Sequence, residues 1–141
     1  MASGERIESV SEQYLKALKT LQIAVNLVES TDRNEEESYK LLRDGAIQRF
    51  EYTFEICWKL IKRIAEFKGY KCNSPRDAFK EGFKLEIVKN EYEIVFLDMI
   101  EKRNLTVHTY NEKIALEIYN FVKEKALPAF QSIVDKIQIF C

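Results

Sequence analysis

Histidine occurs once in this 141-residue chain, at position 108. A lone histidine cannot build a metal site, and the neighbouring carboxylates Glu35 and Glu36 have no histidine partner, so neither a metal nor a cofactor is expected. Only four glycines and two prolines interrupt a sequence dominated by helix formers, and no strand-like alternation appears. The cysteines, Cys57, Cys72 and Cys141, are odd in number and lack a CxxC spacing. That excludes a disulfide framework and a zinc site of the usual kind. Apolar runs never reach membrane-spanning length, and Met1–Val10 lacks the hydrophobic core of a secretion signal. A cytoplasmic location away from membranes is therefore expected. Charge of one sign is missing too, with 22 Lys+Arg against 23 Asp+Glu. A broad nucleic-acid-coating surface is excluded, and any RNA contact has to come from a local patch.

What is present is helical periodicity along a chain of one domain's length, residues 1–141. Ile7, Val10, Tyr14, Leu18, Leu21, Val25 and Val28 repeat at three/four spacing and predict a helix near 6–30. Ser30–Asn34 reads as a turn. Leu42, Ala46, Phe50, Phe54 (or Thr53), Cys57, Ile61 and Ile64 predict a longer helix near 35–68, with Cys57 in the core, either a kink at Gly45 or an interrupted start near Asp44, and Gly69 as its C-terminal cap. Ser74-Pro75 opens a short helix ending near Gly82. Another runs from about 90 to 105, and the last spans 110–137 with Pro128 expected to kink or break it. Thr109 and Glu112 have capping-box spacing, which makes Thr109 the expected N-cap. The predicted fold is all-α, an up-and-down four-helix bundle with one short extra helix.

The junction between the last two long helices carries the only concentrated chemistry. In Arg103-Asn104-Leu105-Thr106-Val107-His108-Thr109-Tyr110, a fixed cation, a group titrating near neutral pH and a phenol lie within eight residues. Arginine recognises phosphate bidentately, and histidine can move a proton at about pH 6.5. In a continuous helix Arg103 and His108 would diverge by about 140°, so a break is expected to turn both toward one cleft. The free N–H groups of the following helix would add an anion site. Tyr110 is expected in its first turn. Asp44, Arg49 and Glu55 could approach from the second helix, as a salt-bridge network or as part of the site. Trp58 reads as core or interface.

These residues resemble a family. Arg-x4-His-x-Tyr at a helix junction is similar to the motif of the HEPN (higher eukaryotes and prokaryotes nucleotide-binding) superfamily. The run from Arg43 to Lys59, with Phe50-Glu51-Tyr52-Thr53-Phe54-Glu55 at its centre, resembles a helix of nucleotidyltransferase substrate-binding proteins and HepT-like toxins. So does Ser74-Pro75-Arg76-Asp77-Ala78-Phe79.

The resemblance implies two functional pictures. In the main one the chain is a ribonuclease toxin with Arg103, His108 and Asn104 as catalytic residues. Its partner, a minimal nucleotidyltransferase, neutralises it by nucleotidylation at Tyr110. In the alternative it is a non-catalytic, substrate-binding subunit of that enzyme. For the toxin, RNA supplies its own 2′-hydroxyl nucleophile, so the protein only moves protons and stabilises charge. His108 would act as general acid or base and Arg103 would hold the equatorial oxygens, without metal. One histidine cannot fill both proton roles, so a homodimer bringing two to one cleft is expected. RNA or a nucleotide is the expected ligand in either case.

Overall fold

The computed structural model describes residues 2–139, and no strand occurs among them. Helix α1 covers Ala2–Ser30. Its stripe Ile7, Tyr14, Leu18, Leu21, Val25 and Val28 is buried, and Val10 is half-buried beside it. The turn that follows is built from Asp32, whose carboxylate accepts the Asn34 N–H at 2.9 Å. Helix α2, Glu36–Phe67, then runs back along α1. It passes through Asp44 and Gly45 without interruption, so the helix neither starts late nor breaks there. The C-terminus of α2 is closed by Gly69 at φ +94°, a backbone setting that costs a side-chain-bearing residue energy. The N–H of Tyr70 reaches the Ala65 carbonyl at 2.9 Å and that of Gly69 reaches Glu66 at 3.0 Å. This double closure satisfies carbonyls that the helix leaves free.

Helix α3, Pro75–Lys84, begins as predicted: Ser74 caps it by accepting the Asp77 N–H, and Pro75 occupies the first turn. It continues past Gly82, because that glycine serves packing rather than termination. A Cβ there would meet Ile61 at 3.0 Å and Val88 at 3.2 Å, so α3 lies close to α2 only without one. A 3₁₀ turn at Asn90–Tyr92 leads into α4, Glu93–Leu105, and a second at Thr106–His108 follows it.

Helix α5, Glu112–Phe121, starts two residues later than expected. Asn111 is its N-cap, accepting the Ile114 N–H at 3.2 Å, and Thr109 lies in the turn before it. Glu112 is free of the capping role because a buried arginine claims its carboxylate. The helix widens into a π segment, Val122–Ala126, before α6, Leu127–Ser132. The N–H of Leu127 reaches back five residues to the Val122 carbonyl. The disturbance expected at Pro128 takes this form, because a wider turn relieves the clash of the proline ring with the preceding turn. Ile133 breaks the run before α7, Val134–Gln138.

Five phenylalanines close a circuit at the centre. Phe50 meets Phe54, Phe54 meets Phe79, Phe79 meets Phe96, Phe96 meets Phe130, and Phe130 returns to Phe50, with centroids 5.1–6.3 Å apart. The circuit joins α2, α3, α4 and α6. Tyr14 ties α1 to it, edge-on to Phe130 and donating its hydroxyl to the Phe130 carbonyl at 2.8 Å. Cys57 is fully buried, and desolvation pushes its thiol far above the usual range, so it stays protonated. Removing one ring should leave a cavity that the other helices cannot all close. Phe130→Ala is expected to lower stability by about 3–5 kcal/mol, read as a shift in the urea midpoint without loss of helical content at zero denaturant.

Candidate functional site

The site begins with a charge on an apolar stripe. Arg43 follows Tyr39 and precedes Ala46, Ile47 and Phe50 on the face of α2 that turns inward, and it is only 2% exposed. A buried guanidinium requires partners for its charge and its donors. Arg43 finds them in Glu112, which accepts at 2.7 and 2.8 Å through both carboxylate oxygens. Asp44 accepts from the other edge at 3.0 and 3.2 Å, and the Tyr39 ring lies 5.9 Å away. The Glu112 hydrogen bonds push the guanidinium above its already high value against the opposing effect of burial. The same bonds hold the Glu112 carboxyl below its usual range. This two-oxygen fork fixes the first turn of α5 onto α2, and so positions the junction just before it.

Arg103 prolongs the buried stripe of α4, one turn beyond Phe96 and Met99. It is half-buried, facing α2. Its Nη1 lies 3.8 Å from Glu51 and its Nε 3.7 Å from Glu55, distances of charge contact rather than hydrogen bonding. Nη1 donates to Thr106 Oγ1 at 3.4 Å, while that hydroxyl donates to the Arg103 carbonyl at 2.7 Å. Nε is buried with no hydrogen-bond partner. Glu55 is shared further: its other oxygen accepts the Trp58 indole N–H at 3.2 Å and lies 3.9 Å from Lys59.

His108 and Tyr110 form a separate, exposed pair. The His108 Nδ1 is 3.2 Å from the Tyr110 hydroxyl, and the rings meet edge-on at 5.8 Å. Tyr110 is 82% exposed. It stands in the turn before Asn111, not in the first turn of α5, so it is presented to solvent rather than packed. Asn104 is also exposed. Among the described residues, no hydrogen bond or ion pair joins Arg103 to His108. The expected break is a continuing 3₁₀ turn, which leaves Arg103 directed at α2 and His108 at Tyr110.

Of the residues of α2 singled out by sequence, Glu55 reaches the junction, Asp44 supports Arg43, and Arg49 is exposed. Sequence reasoning missed Arg43, Glu51 and Glu112. Arg43 had a readable signal, since a charge on the inward stripe of a helix requires a buried partner. Glu112 had none, because its capping-box spacing gave it a local explanation. Among the described residues no group of three or more His, Cys, Asp and Glu is arranged to hold a metal, and no helix is long and apolar enough to cross a membrane.

Residues 10–139 match the family described as nucleotidyltransferase substrate binding protein like, and the chain belongs to that family. A Thermus thermophilus protein of known structure is 31% identical, with a TM-score of 0.75 over 89% of this chain and 98% of that one. A Haemophilus influenzae protein is 20% identical, with a TM-score of 0.79 over 91% and 98% of the two chains. Its structure is described as revealing the fold of a substrate binding domain of a nucleotidyltransferase, and the likeness is one of fold. No curated protein matches the chain.

The Arg43–Glu112 fork makes a prediction with a definite sign. A carboxyl held below its usual range stabilises the fold above that range and loses the contribution as pH falls through its lowered value. Glu112→Gln should therefore flatten the decline of stability below about pH 4. At pH 7 it should cost about 1–2 kcal/mol, a charge-assisted bond reduced by the solvent around Glu112. Urea titrations of both proteins across the acid range measure both effects.

Proposed function

We propose that the chain is the non-catalytic, substrate-binding partner of a small nucleotidyltransferase, and that it docks through the exposed side of the Arg103–Tyr110 junction. The observation that carries this reading is the acidic pair on Arg103. Glu51 and Glu55 both lie within 4 Å of its guanidinium. A phosphorane forming there would meet two negative charges against one positive, which opposes the stabilisation that ribonucleolysis demands. The membership of the chain in a substrate-binding family supports the same reading.

On the docking side, Val107, His108 and Tyr110 are all exposed, and they are joined by Asn104. Tyr110 is the residue of this set able to accept a nucleotidyl group. Its hydroxyl stands in solvent, and the adjacent His108 Nδ1 at 3.2 Å can take the phenolic proton as the oxygen bonds to the α-phosphorus of ATP and the bond to the β-phosphate breaks, releasing pyrophosphate.

The same contact favours a second reading, a HEPN-type ribonuclease acting as a homodimer, with Arg103, Asn104 and His108 at the catalytic site and Tyr110 as the switch. Activity would require Arg103 to leave its carboxylates on RNA binding. Nucleotidylation at Tyr110 would then place phosphate charge beside His108 and block the site.

One set of measurements separates the readings. Mixed with a small nucleotidyltransferase carrying a Gly-Ser and Asp-x-Asp active-site pattern, the chain should form a complex by size exclusion with light scattering. His108→Ala and Tyr110→Ala should weaken that complex at least tenfold. With ATP added, intact-mass spectrometry should show AMP on the wild type and not on Tyr110→Phe. RNA incubated with the chain alone should stay intact. Metal-independent cleavage abolished by Arg103→Ala and by His108→Ala, from a protein dimeric in solution, would transfer support to the second reading.

A further inference from the structure

Beyond the junction, α2 reverses its charge. Glu51 and Glu55 face Arg103, but the next two turns carry Lys59, Lys62 and Arg63. With Trp58 and Glu66 they line a groove of about 320 Å³. Three positive charges against one negative line it, in a chain whose overall charge is −1. Neither Lys62 nor Arg63 is held in an ion pair among the described residues, and Lys59 has only the 3.9 Å contact with Glu55. Their charges are available.

Trp58 is the single tryptophan of the chain, half-buried on the wall of this groove. Its indole N–H is taken by Glu55 at 3.2 Å, which fixes the ring plane while leaving no donor unsatisfied. The Lys62 ammonium lies 6.0 Å from the ring centroid, at the outer edge of cation–π range. An orientated aromatic surface flanked by cations, of which Lys62 and Arg63 stand outside any ion pair among the described residues, is the arrangement that stacks a nucleobase and holds its phosphate. Phosphate is directed here rather than to the junction, because Arg103 is already neutralised by two carboxylates. Glu55 touches both places, and Lys62 lies two helical turns, about 10 Å, further along α2 from it.

We propose that this groove binds the base and phosphate of a nucleotide, Trp58 stacking on the base and Lys59, Lys62 and Arg63 contacting phosphate. The proposal deepens the substrate-binding reading and rests on it, giving that reading a binding place, away from the junction, for a nucleoside phosphate either free or as part of a single strand of RNA.

A single tryptophan in the groove makes its emission a local reporter. Titration of the full chain with adenosine 5′-monophosphate, and separately with a ten-nucleotide oligoadenylate, should quench it. Lys62→Glu combined with Arg63→Glu leaves the ring in place, and should weaken binding at least tenfold with the circular-dichroism spectrum unchanged. Trp58→Leu, followed by calorimetry, should lose about 5- to 150-fold, the range of one stacked base. Three phosphate contacts on a single strand imply a log–log salt slope of about −2 for the oligonucleotide. Equal affinity for the two probes assigns the groove to a free nucleotide, and affinity at least tenfold higher for the strand assigns it to RNA; either supports the proposal. Emission unmoved by both probes, or a charge-reversed variant that binds as the wild type does, overturns it. An unquenched chain that still forms the nucleotidyltransferase complex refutes the groove alone. A chain that is quenched but forms no complex refutes the partner reading alone.

Discussion

The closed circuit of Phe50, Phe54, Phe79, Phe96 and Phe130 sets the spacing on which the rest of the molecule depends. Interiors packed at this density are not continuously deformable, so the helices that contribute rings hold one rotation each. Glu51 and Glu55 directly follow two of these rings along α2, and Arg103 lies on the same stripe of α4 as a third. The contact of Arg103 with its two carboxylates is thus set by the core and not by local loop geometry. A junction assembled this way is rigid on its inner side and free on its outer side, where His108 and Tyr110 stand.

The second constraint is electrostatic. Arg43 is buried where the helix pattern demands an apolar residue, and it is tolerated because Glu112 and Asp44 surround its donors. Breaking such a pair is costly even where replacing it whole by apolar groups is not, which makes the pair a strong determinant of where α5 begins. Along α2 the charges then serve in sequence: Arg43 anchors the helix after the junction, Glu51 and Glu55 neutralise the arginine before it, and in the basic turn beyond only Lys59 meets a carboxylate among the described residues, at 3.9 Å. One helix therefore separates an anchored end, an acid-lined contact and a basic groove. Glu55, touching Arg103, Trp58 and Lys59, is the residue through which occupancy of one could be felt at the other.

Helix existence was legible in the sequence because burial on α1 and α2 follows three/four spacing with few interruptions. The boundaries legible from chemistry were those with a dedicated residue: Ser74 before α3 and Gly69 after α2. The boundary that misled was Thr109, whose capping-box partner Glu112 is engaged 69 positions away in sequence by Arg43. No local pattern registers a contact of that range. Gly82 misled for a related reason, since a glycine that permits close approach of α3 to Ile61 and Val88 has the same spelling as one that ends a helix. At the junction, the motif Arg103–His108–Tyr110 was visible as residues in order. Its division into an inward arginine and an outward His–Tyr pair depended on the 3₁₀ continuation of α4, which periodicity does not encode. The charge reversal along α2 was in plain view but acquires meaning only once Trp58 is placed on the groove wall.

The π turn at Val122–Ala126 acts as a buffer between sequence length and shape. One additional residue in a regular helix would rotate every later side chain by about 100° and carry Phe130 and Ile133 away from the core. The widened turn takes up that residue locally, so the downstream stripe keeps its heading, and it opens the space that Pro128 needs. Insertion and proline are therefore mutually permissive: each is awkward alone and harmless with the other.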